Sequence, residues 1–341
     1  MSKFEISYLA DVFSTLGKQL SYPDDELTAV INDEHHYNAW FTADNVEKAV
    51  TSTGRMLNKE DLLSWLNRYP KDHFDTGKKV GLVLAGNIPM VGFHDVLCVL
   101  ITGNNALIKA SSQDARLIKE VLKRLVSIEP GFENQYTFIE RLENFDAVIA
   151  TGSNNTSRYF EYYFNKVPHI IRKNRNSVAV LTGRETTGQL YELGHDIFDY
   201  FGLGCRNVSK LFVPKDYDFV PFFEAIEPYQ PIINHHKHNN NYDYNKSIYL
   251  VNRDKHFDNG FLMLKEDKSM TSPLAVLFYE NYDDLGSVQE LLTQQSENIQ
   301  CIVSGVPLKV NNQVVDFGKS QQPELWDYAD GVDTMDFLTK L

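Results

Sequence analysis

Several features that would declare a chemistry at once are scarce or missing in this 341-residue sequence. Cysteine is rare: there are 3, none at CxxC spacing, so neither a disulfide framework nor a Cys-rich zinc site is encoded, and a reducing, cytoplasmic setting is expected. No HExxH, no GxxxxGK(S/T) and no GxGxxG after a strand occur, which removes the common zinc-hydrolase, P-loop and dinucleotide fingerprints. Positive charge is in short supply, 33 Lys+Arg against 46 Asp+Glu for a formal net charge of −13. With no broad basic face, nucleic acid and anionic membranes are disfavoured partners. Long apolar runs are absent too. The most apolar stretch, VGLVLAGNIPMVGFHDVLCVLITG, is interrupted by Asn87, Pro89, His94 and Asp95 before it reaches the roughly 20 residues of a membrane span. The opening MSKFEISYLADVFSTLGKQL carries Glu5 and Asp11 inside its apolar stretch and has no small-residue cleavage site, so it reads as an amphipathic helix rather than a signal peptide.

What is present is the make-up of a folded globular protein, 43% hydrophobic and 23% charged, with length for two domains. Helical stripes broken by turns fill the first 76 residues. From Val80 the pattern changes to short apolar strands alternating with helices: VGLVLA, a Gly86-Asn87-Ile88 break, a helix opening at Pro89, then ALIKA. Asp114 is placed to cap a helix whose stripe Leu117, Ile118, Val121, Leu122, Leu125 marks one buried face, and DAVIATGS leads into SRYFEYYF. Alternation of this kind implies right-handed βαβ units and a parallel sheet covered on both faces. PHIIR and SVAVLTG flank a basic turn of Arg172, Lys173 and Arg175, and SKLFVP, SIYLV, FLMLKE, PLAVLFYE and IQCIVSG are read as strands of a second α/β domain. The expected division is a helical lead-in over 1–76, a cofactor domain over 77–180, a catalytic domain over 181–310 and a returning segment over 311–341 that joins the core or an oligomer interface. HHKHNNNYDYN reads as a solvated loop. His235, His236 and His238 lack a nearby Cys or carboxylate at ligand spacing, so no metal site is expected there.

Three strand-to-helix turns, LAGNIP, IKASSQ and TGSNN, lie where a doubly wound sheet binds ligands, beyond the carboxyl ends of its strands. Cys205 in FGLGCRNVSKLFVP follows Gly202 and Gly204, which leave the backbone before the thiol uncluttered. Cys98 in VLCVL and Cys301 in IQCIV sit in apolar elements and read as core thiols.

The order GNIP, IKASS, TGSNN, GxxC resembles the aldehyde dehydrogenase superfamily, and IIRKNRNSVAVLTG with FGKSQQPELWDYADGVDTMDFL is similar to its LuxC-type, long-chain fatty acyl-CoA reductase branch. The resemblance spans about residues 75–341. It implies an aldehyde-dehydrogenase-like fold, a Rossmann-like parallel-sheet domain with a second α/β domain. It implies Cys205 as acyl-accepting nucleophile and Asn87, with the Cys205 amide, as oxyanion donor. Lys109 would then hydrogen-bond the adenosine ribose of a nicotinamide cofactor and Ser153, with the Gly152 amide, would meet its pyrophosphate, while Ser111, Ser112 and Thr151 complete the cofactor-binding set. The implied reaction is reduction of an acyl-CoA or other acyl thioester to an aldehyde in a homo-oligomer, with an acyl-protein synthetase and an acyltransferase as candidate partners.

Departures from the family pattern refine this. Hydrolytic members place a water-activating Glu where Arg172 stands, and the lack of such a base suits a reductase whose thioester must outlast water. The ribose-binding Glu position holds Ser112, which relieves repulsion of a 2′-phosphate, so NADPH is expected over NADH. A second family Glu corresponds to Ser269. Arg172 and Arg175 are candidates for electrostatic support of an anionic substrate or the Cys205 thiolate. The rivals are an acyl-phosphate reductase forming a semialdehyde, a cofactor-free Cys acyltransferase or thioesterase, and a non-catalytic scaffold.

Overall fold

A computed structural model describes residues 5–70, 73, 74 and 76–341; Met1–Phe4, the start of the expected amino-terminal helix, lie outside the described residues. The chain forms two compact units, residues up to Asn174 with Pro323–Leu341, and Arg175–Gln322.

In the first unit, four α-helices among the described residues precede the sheet: α1 (Ile6–Ser21), α2 (Asp25–Asp33), α3 (Ala43–Met56) and α4 (Lys59–Leu66). Side chains of Asp24, Thr42 and Asn58 accept the N–H three residues on, which starts α2, α3 and α4. Then follow β1 (Lys79–Val83), α5 (Phe93–Ile101), β2 (Asn105–Lys109), α6 (Ala115–Ile128), β3 (Tyr136–Phe138), β4 (Ala147–Thr151), α7 (Asn154–Phe164) and β5 (His169–Arg172). The five strands are all parallel, in the order β3-β2-β1-β4-β5. Because β1 and β4 are covered on both faces they read as unbroken apolar runs. The chain winds outward from β1 to β3, then crosses to β4 on the other side, so a topological switch point lies between β1 and β4.

The second unit holds β6 (Asn176–Val180), α8 (Thr187–Phe198), β7 (Val208–Pro214), α9 (Val220–Ile226), α10 (His236–Asn252), β8 (Phe257–Asp258), β9 (Met263–Glu266), β10 (Val276–Tyr282), α11 (Leu285–Gln294), β11 (Ile299–Ser304) and β12 (Gln313–Val315). Its sheet runs β12-β11-β6-β7-β10-β9-β8, parallel except for the β8–β9 pair. One apolar core, around Phe222, Phe261 and Leu193, packs α8 and α9 on one face, and a second, around Val288, Leu292 and Phe212, packs α11 on the other. The carboxyl-terminal α12 (Thr334–Thr339) returns to the first unit.

Several sequence expectations are corrected. The boundary expected at 180/181 falls at Asn174/Arg175, because β6 pairs with β7 and β11. The 311–341 segment likewise divides at Gln322/Pro323. The supposed loop HHKHNNNYDYN and the supposed strand SIYLV form one helix, α10. The asparagines that suggested a loop bond back to the preceding turn, Asn241 Nδ2 to Lys237 O (2.8 Å) and Asn245 Nδ2 to Asn241 O (2.9 Å), while Tyr242 and Tyr249 are buried. The helix expected at Pro89 begins at Phe93.

Candidate active site

In the first unit the turns singled out in the sequence converge on one edge. Val83 lies opposite Lys109 on one side and Ala150 on the other, so the turns after β1, β2 and β4 leave the sheet together. Asn87 is exposed on the first, Lys109 and Ser112 are exposed on the second, and Ser153 is exposed on the third. Ser153 Oγ accepts the Thr156 N–H (3.3 Å) and caps α7. The first two turns are in close contact: a Cβ added at Gly86 would lie 2.4 Å from Ser111 Oγ, so only glycine fits there. Asp114 does not cap α6 as expected. Its Oδ2 instead accepts the Met90 N–H at 2.8 Å, and Met90 holds the left-handed φ of 62°, a conformation that costs an ordinary residue about 1–2 kcal/mol.

In the second unit, α8 opens with a Thr186/Gln189 capping box and ends in a strained turn. Tyr200, Phe201 and Gly202 follow one another with φ of 54°, 58° and 75°. Glycine takes such a value without cost, whereas Tyr200 and Phe201 hold it because their side chains are buried. Phe201 packs against His235 with ring centroids 4.3 Å apart. Cys205 follows, half-buried, on a turn closed by Asn207. Gly204 N–H donates to Asn207 Oδ1 (2.8 Å), and Asn207 Nδ2 donates to Asp199 O (2.9 Å) and Asp196 O (3.1 Å), tying the thiol's turn to the end of α8. Ser177 Oγ donates to the Cys205 carbonyl (3.1 Å). Cys98 and Cys301 are fully buried as expected, and burial pushes the Cys98 thiol well above its usual pKa, which makes it inert as a nucleophile.

Of the supports of this turn, only the FGKSQ stretch was singled out in the sequence. Arg206, beside the thiol, donates to Ser320 O and to Gln313 Oε1 (2.8 Å). Asp196, wholly buried on α8, accepts the Gly318 and Ser320 N–H groups at 2.7 and 2.9 Å. Thus the FGKSQ stretch braces the thiol's turn from behind. A bulge in the β6–β7 pairing lets Ser209 and Lys210 hold one loop: Ser209 Oγ donates to Met270 O (2.7 Å), and the buried Lys210 Nζ donates to Lys268 O (3.0 Å) and pairs with Glu280 (2.5 Å). That loop carries Ser269, which is exposed. A lysine inside the apolar run VSKLFV was the available sequence signal.

Burial raises the Asp196 carboxyl from 3.8 to about 6, against the pull of its N–H donors. The native state therefore binds a proton the unfolded chain releases between these values. Its contribution to stability is complete below the unfolded pKa and is lost as pH rises through about 6. Denaturant titrations of wild type and Asp196→Asn should show the wild type losing about 2 kcal/mol relative to the variant between roughly pH 4 and 7.

Arg172 departs most from expectation. It ends β5 beside Thr151 and is 4% exposed, so it is a buried strand residue and not part of a turn. Its NH2 donates to Asp95 Oδ1 (2.6 Å) and Thr334 Oγ1 (2.8 Å), its Nε to Asp95 Oδ2 (3.2 Å), and its NH1 to Ala329 O (2.6 Å). Burial opposes the charge, yet the Asp95 carboxylate keeps the guanidinium above its usual pKa. Its charge is thereby paired with Asp95 on α5. Arg175 begins the second unit and donates to Ile299 O (3.3 Å). Among the described residues no group of three or more His, Cys, Asp or Glu is placed to hold a metal ion, and no helix is long and apolar enough to cross a membrane.

This architecture, two parallel-sheet α/β units with a thiol on the turn between an amphipathic helix and a central strand, defines an aldehyde-dehydrogenase fold. Aldehyde dehydrogenase 21 from Physcomitrella patens in complex with the reaction product succinate matches with a TM-score of 0.67 at 12% identity, over 99% of this chain and 85% of that one. The NADP-dependent glyceraldehyde-3-phosphate dehydrogenase of Bacillus halodurans complexed with NADP gives 0.61 at 12% identity, over 92% and 79%. A mutant of the indole-3-acetaldehyde dehydrogenase AldA of P. syringae, in complex with NAD+ and IAA, gives 0.62 at 12% identity, over 92% and 77%. No curated protein sequence matches the chain. The sequence model of the acyl-CoA reductase (LuxC) family matches residues 14–221, and the chain belongs to that family. It is an oxidoreductase, an acyl reductase of the aldehyde-dehydrogenase type.

Proposed function

We propose that the protein reduces acyl-CoA, or an acyl group on another thiol, to the aldehyde with NADPH through a thioacyl intermediate on Cys205. The observation that carries this reading is the contrast among its thiols: Cys205 is half-buried on a braced turn, whereas Cys98 and Cys301 are sealed in cores. In this reading the Cys205 thiolate adds to the acyl carbonyl. The charge developing on oxygen is met by the Asn87 side-chain amide and the Cys205 backbone N–H, donors of a kind that contribute about 3 kcal/mol each. The carbon–sulfur bond to CoA breaks, CoA leaves as its thiolate and takes a proton from water, and the acyl group stays on Cys205.

Lys109, Ser111, Ser112, Thr151, Gly152 and Ser153 would hold the dinucleotide. In support, Lys109 and Ser112 are exposed at the switch-point edge, and the N–H groups opening α6 and α7 lie at the same edge for phosphate oxygens. The dinucleotide, when bound, would supply hydride to the thioacyl carbonyl. Cys205 sulfur then departs from the reduced carbon, releasing aldehyde and regenerating the thiolate. With the Arg172 charge committed to Asp95, the position of the water-activating Glu in hydrolytic members holds no base, and the thioester is spared.

The solved relatives include one bound to NADP and one to NAD+; here Ser112 favours the phosphorylated form. Initial rates with acyl-CoAs from short to long chain, acyl phosphates, NADPH and NADH test the reading. Turnover is expected with acyl-CoA, and kcat/KM for NADPH should exceed that for NADH by about tenfold, the factor given by ~1.4 kcal/mol of relieved repulsion. Turnover confined to acyl phosphates, or acyl transfer without any dinucleotide, would replace it with one of its rivals.

A further inference from the structure

Asp114 poses a question that the proposed chemistry does not answer. It is 3% exposed, its Oδ1 has no hydrogen-bond partner, and burial pushes its carboxyl well above the usual range. A buried carboxyl with one unsatisfied oxygen is costly to keep. Its one hydrogen bond to the Asn87 turn is the Oδ2 contact to the Met90 N–H at 2.8 Å. That contact falls on the residue whose backbone is left-handed, at the point where the turn carrying Asn87 bends into α5. Asp114 also belongs to the other turn, since its own N–H donates to Ser111 O (3.2 Å). Two further contacts join the same pair of turns: Leu84 N–H donates to Lys109 O (3.1 Å), and Gly86 abuts Ser111.

We infer that Asp114 is a positioning residue that couples the turn bearing Lys109, Ser111 and Ser112 to the turn bearing Asn87, so that dinucleotide binding at the first orders the oxyanion donor on the second. This rests on the function proposed above. The linkage has a stated physical route: a ligand that immobilises Ser111 and Ser112 immobilises the start of α6. The Asp114 carboxyl then holds Met90, and with it the end of the Asn87 turn. Acylation of Cys205 would consequently be faster with a dinucleotide in place, although no hydride is needed for that step.

The test measures release of CoA thiol in a single turnover of the full-length enzyme, with saturating NADP+ as the non-reducing dinucleotide and without it. In wild type, NADP+ should accelerate release by about tenfold, within the range usual for coupled sites. In Asp114→Ala the acceleration should vanish while NADPH still binds, with a Kd, read by fluorescence, no weaker than that of wild type. Asp114→Asn, whose amide oxygen still accepts the Met90 N–H, should retain most of the acceleration. A merely structural role would lower thermal stability without touching the ratio of rates with and without NADP+. Equal wild-type rates with and without NADP+, or undiminished acceleration in Asp114→Ala, would overturn the coupling and leave the proposed function standing. Absence of CoA release from wild type under all conditions would instead overturn the function. If the alanine variant fails to fold, Asp114→Leu takes its place, and a wild-type ratio of one overturns the coupling in either case.

Discussion

Cys205→Ala should abolish acyl-CoA-dependent NADPH oxidation, a loss on the order of 10⁵-fold in kcat, as expected when a nucleophile is removed outright. NADPH affinity should change little, because none of the residues proposed to hold the dinucleotide is altered. Cys205→Ser should be nearly as inactive, since a hydroxyl at its ordinary pKa needs a base where a thiolate does not. The other cysteines offer no rescue: Cys98 and Cys301 are fully buried, and the Cys98 thiol is pushed further from ionisation. Cys98→Ala and Cys301→Ala should keep their turnover, at some cost in packing. The deciding measurements are initial rates beside a fluorescence Kd for NADPH. Turnover by Cys205→Ala at the wild-type rate would remove the thiol from the mechanism.

Asp95→Ala should destabilise the first unit by about 3–5 kcal/mol, because it strands the Arg172 guanidinium in a site that water does not reach. The cost comes from the uncompensated charge rather than from the contact itself. The double variant Asp95→Leu with Arg172→Met should therefore recover most of the loss, even though it also gives up the bonds to Ala329 O and Thr334. Unfolding can be followed in this unit alone, since Trp40, Trp65 and Trp326 all belong to it. Trp65 and Trp326 are good reporters of the returning segment. Trp65 Nε1 donates to Tyr328 OH (2.7 Å), Tyr69 OH reaches Asp333 (2.9 Å), and Arg68 stacks 4.5 Å over the Trp326 ring. A urea midpoint for Asp95→Ala equal to wild type, with an unchanged slope, would mean that the guanidinium finds water or another partner.

Short-range periodicity carried most of the fold. Fully buried parallel strands are continuous apolar runs, so VGLVLA, DAVIATGS and IQCIVSG were legible, and so was the amphipathic stripe of α6. Legibility failed where side chains, not backbone propensity, decided the outcome. Asparagine and histidine in HHKHNNNYDYN favour turns in isolation. Here Asn241 and Asn245 bond to the helix's own carbonyls, His238 Nε2 bonds Phe261 O (3.0 Å), and Asn245 reaches Leu274 O (3.0 Å). Those last two partners are distant in sequence, so the helix is a product of packing. The exchange of Asp114 from helix cap to holder of Met90 has the same origin.

The candidate site divides in the same way. The residues GNIP, IKASS, TGSNN and GLGC, their order and their places at strand and helix ends are properties of the sequence, because strand, turn and helix patterning is local. The few thiols singled out at the outset likewise left one candidate nucleophile by local context. Only the tertiary structure decided what surrounds each of them. A guanidinium in a basic turn gives no sign that Asp95, Ala329 and Thr334 will enclose it, and Asn207, Asp196 and Lys210 are ordinary polar residues until burial leaves their hydrogen bonds no alternative in water. Burial is a property of how distant segments pack, and it is burial that turns Arg172 from a surface charge into a tie and singles out Cys205 as the accessible thiol.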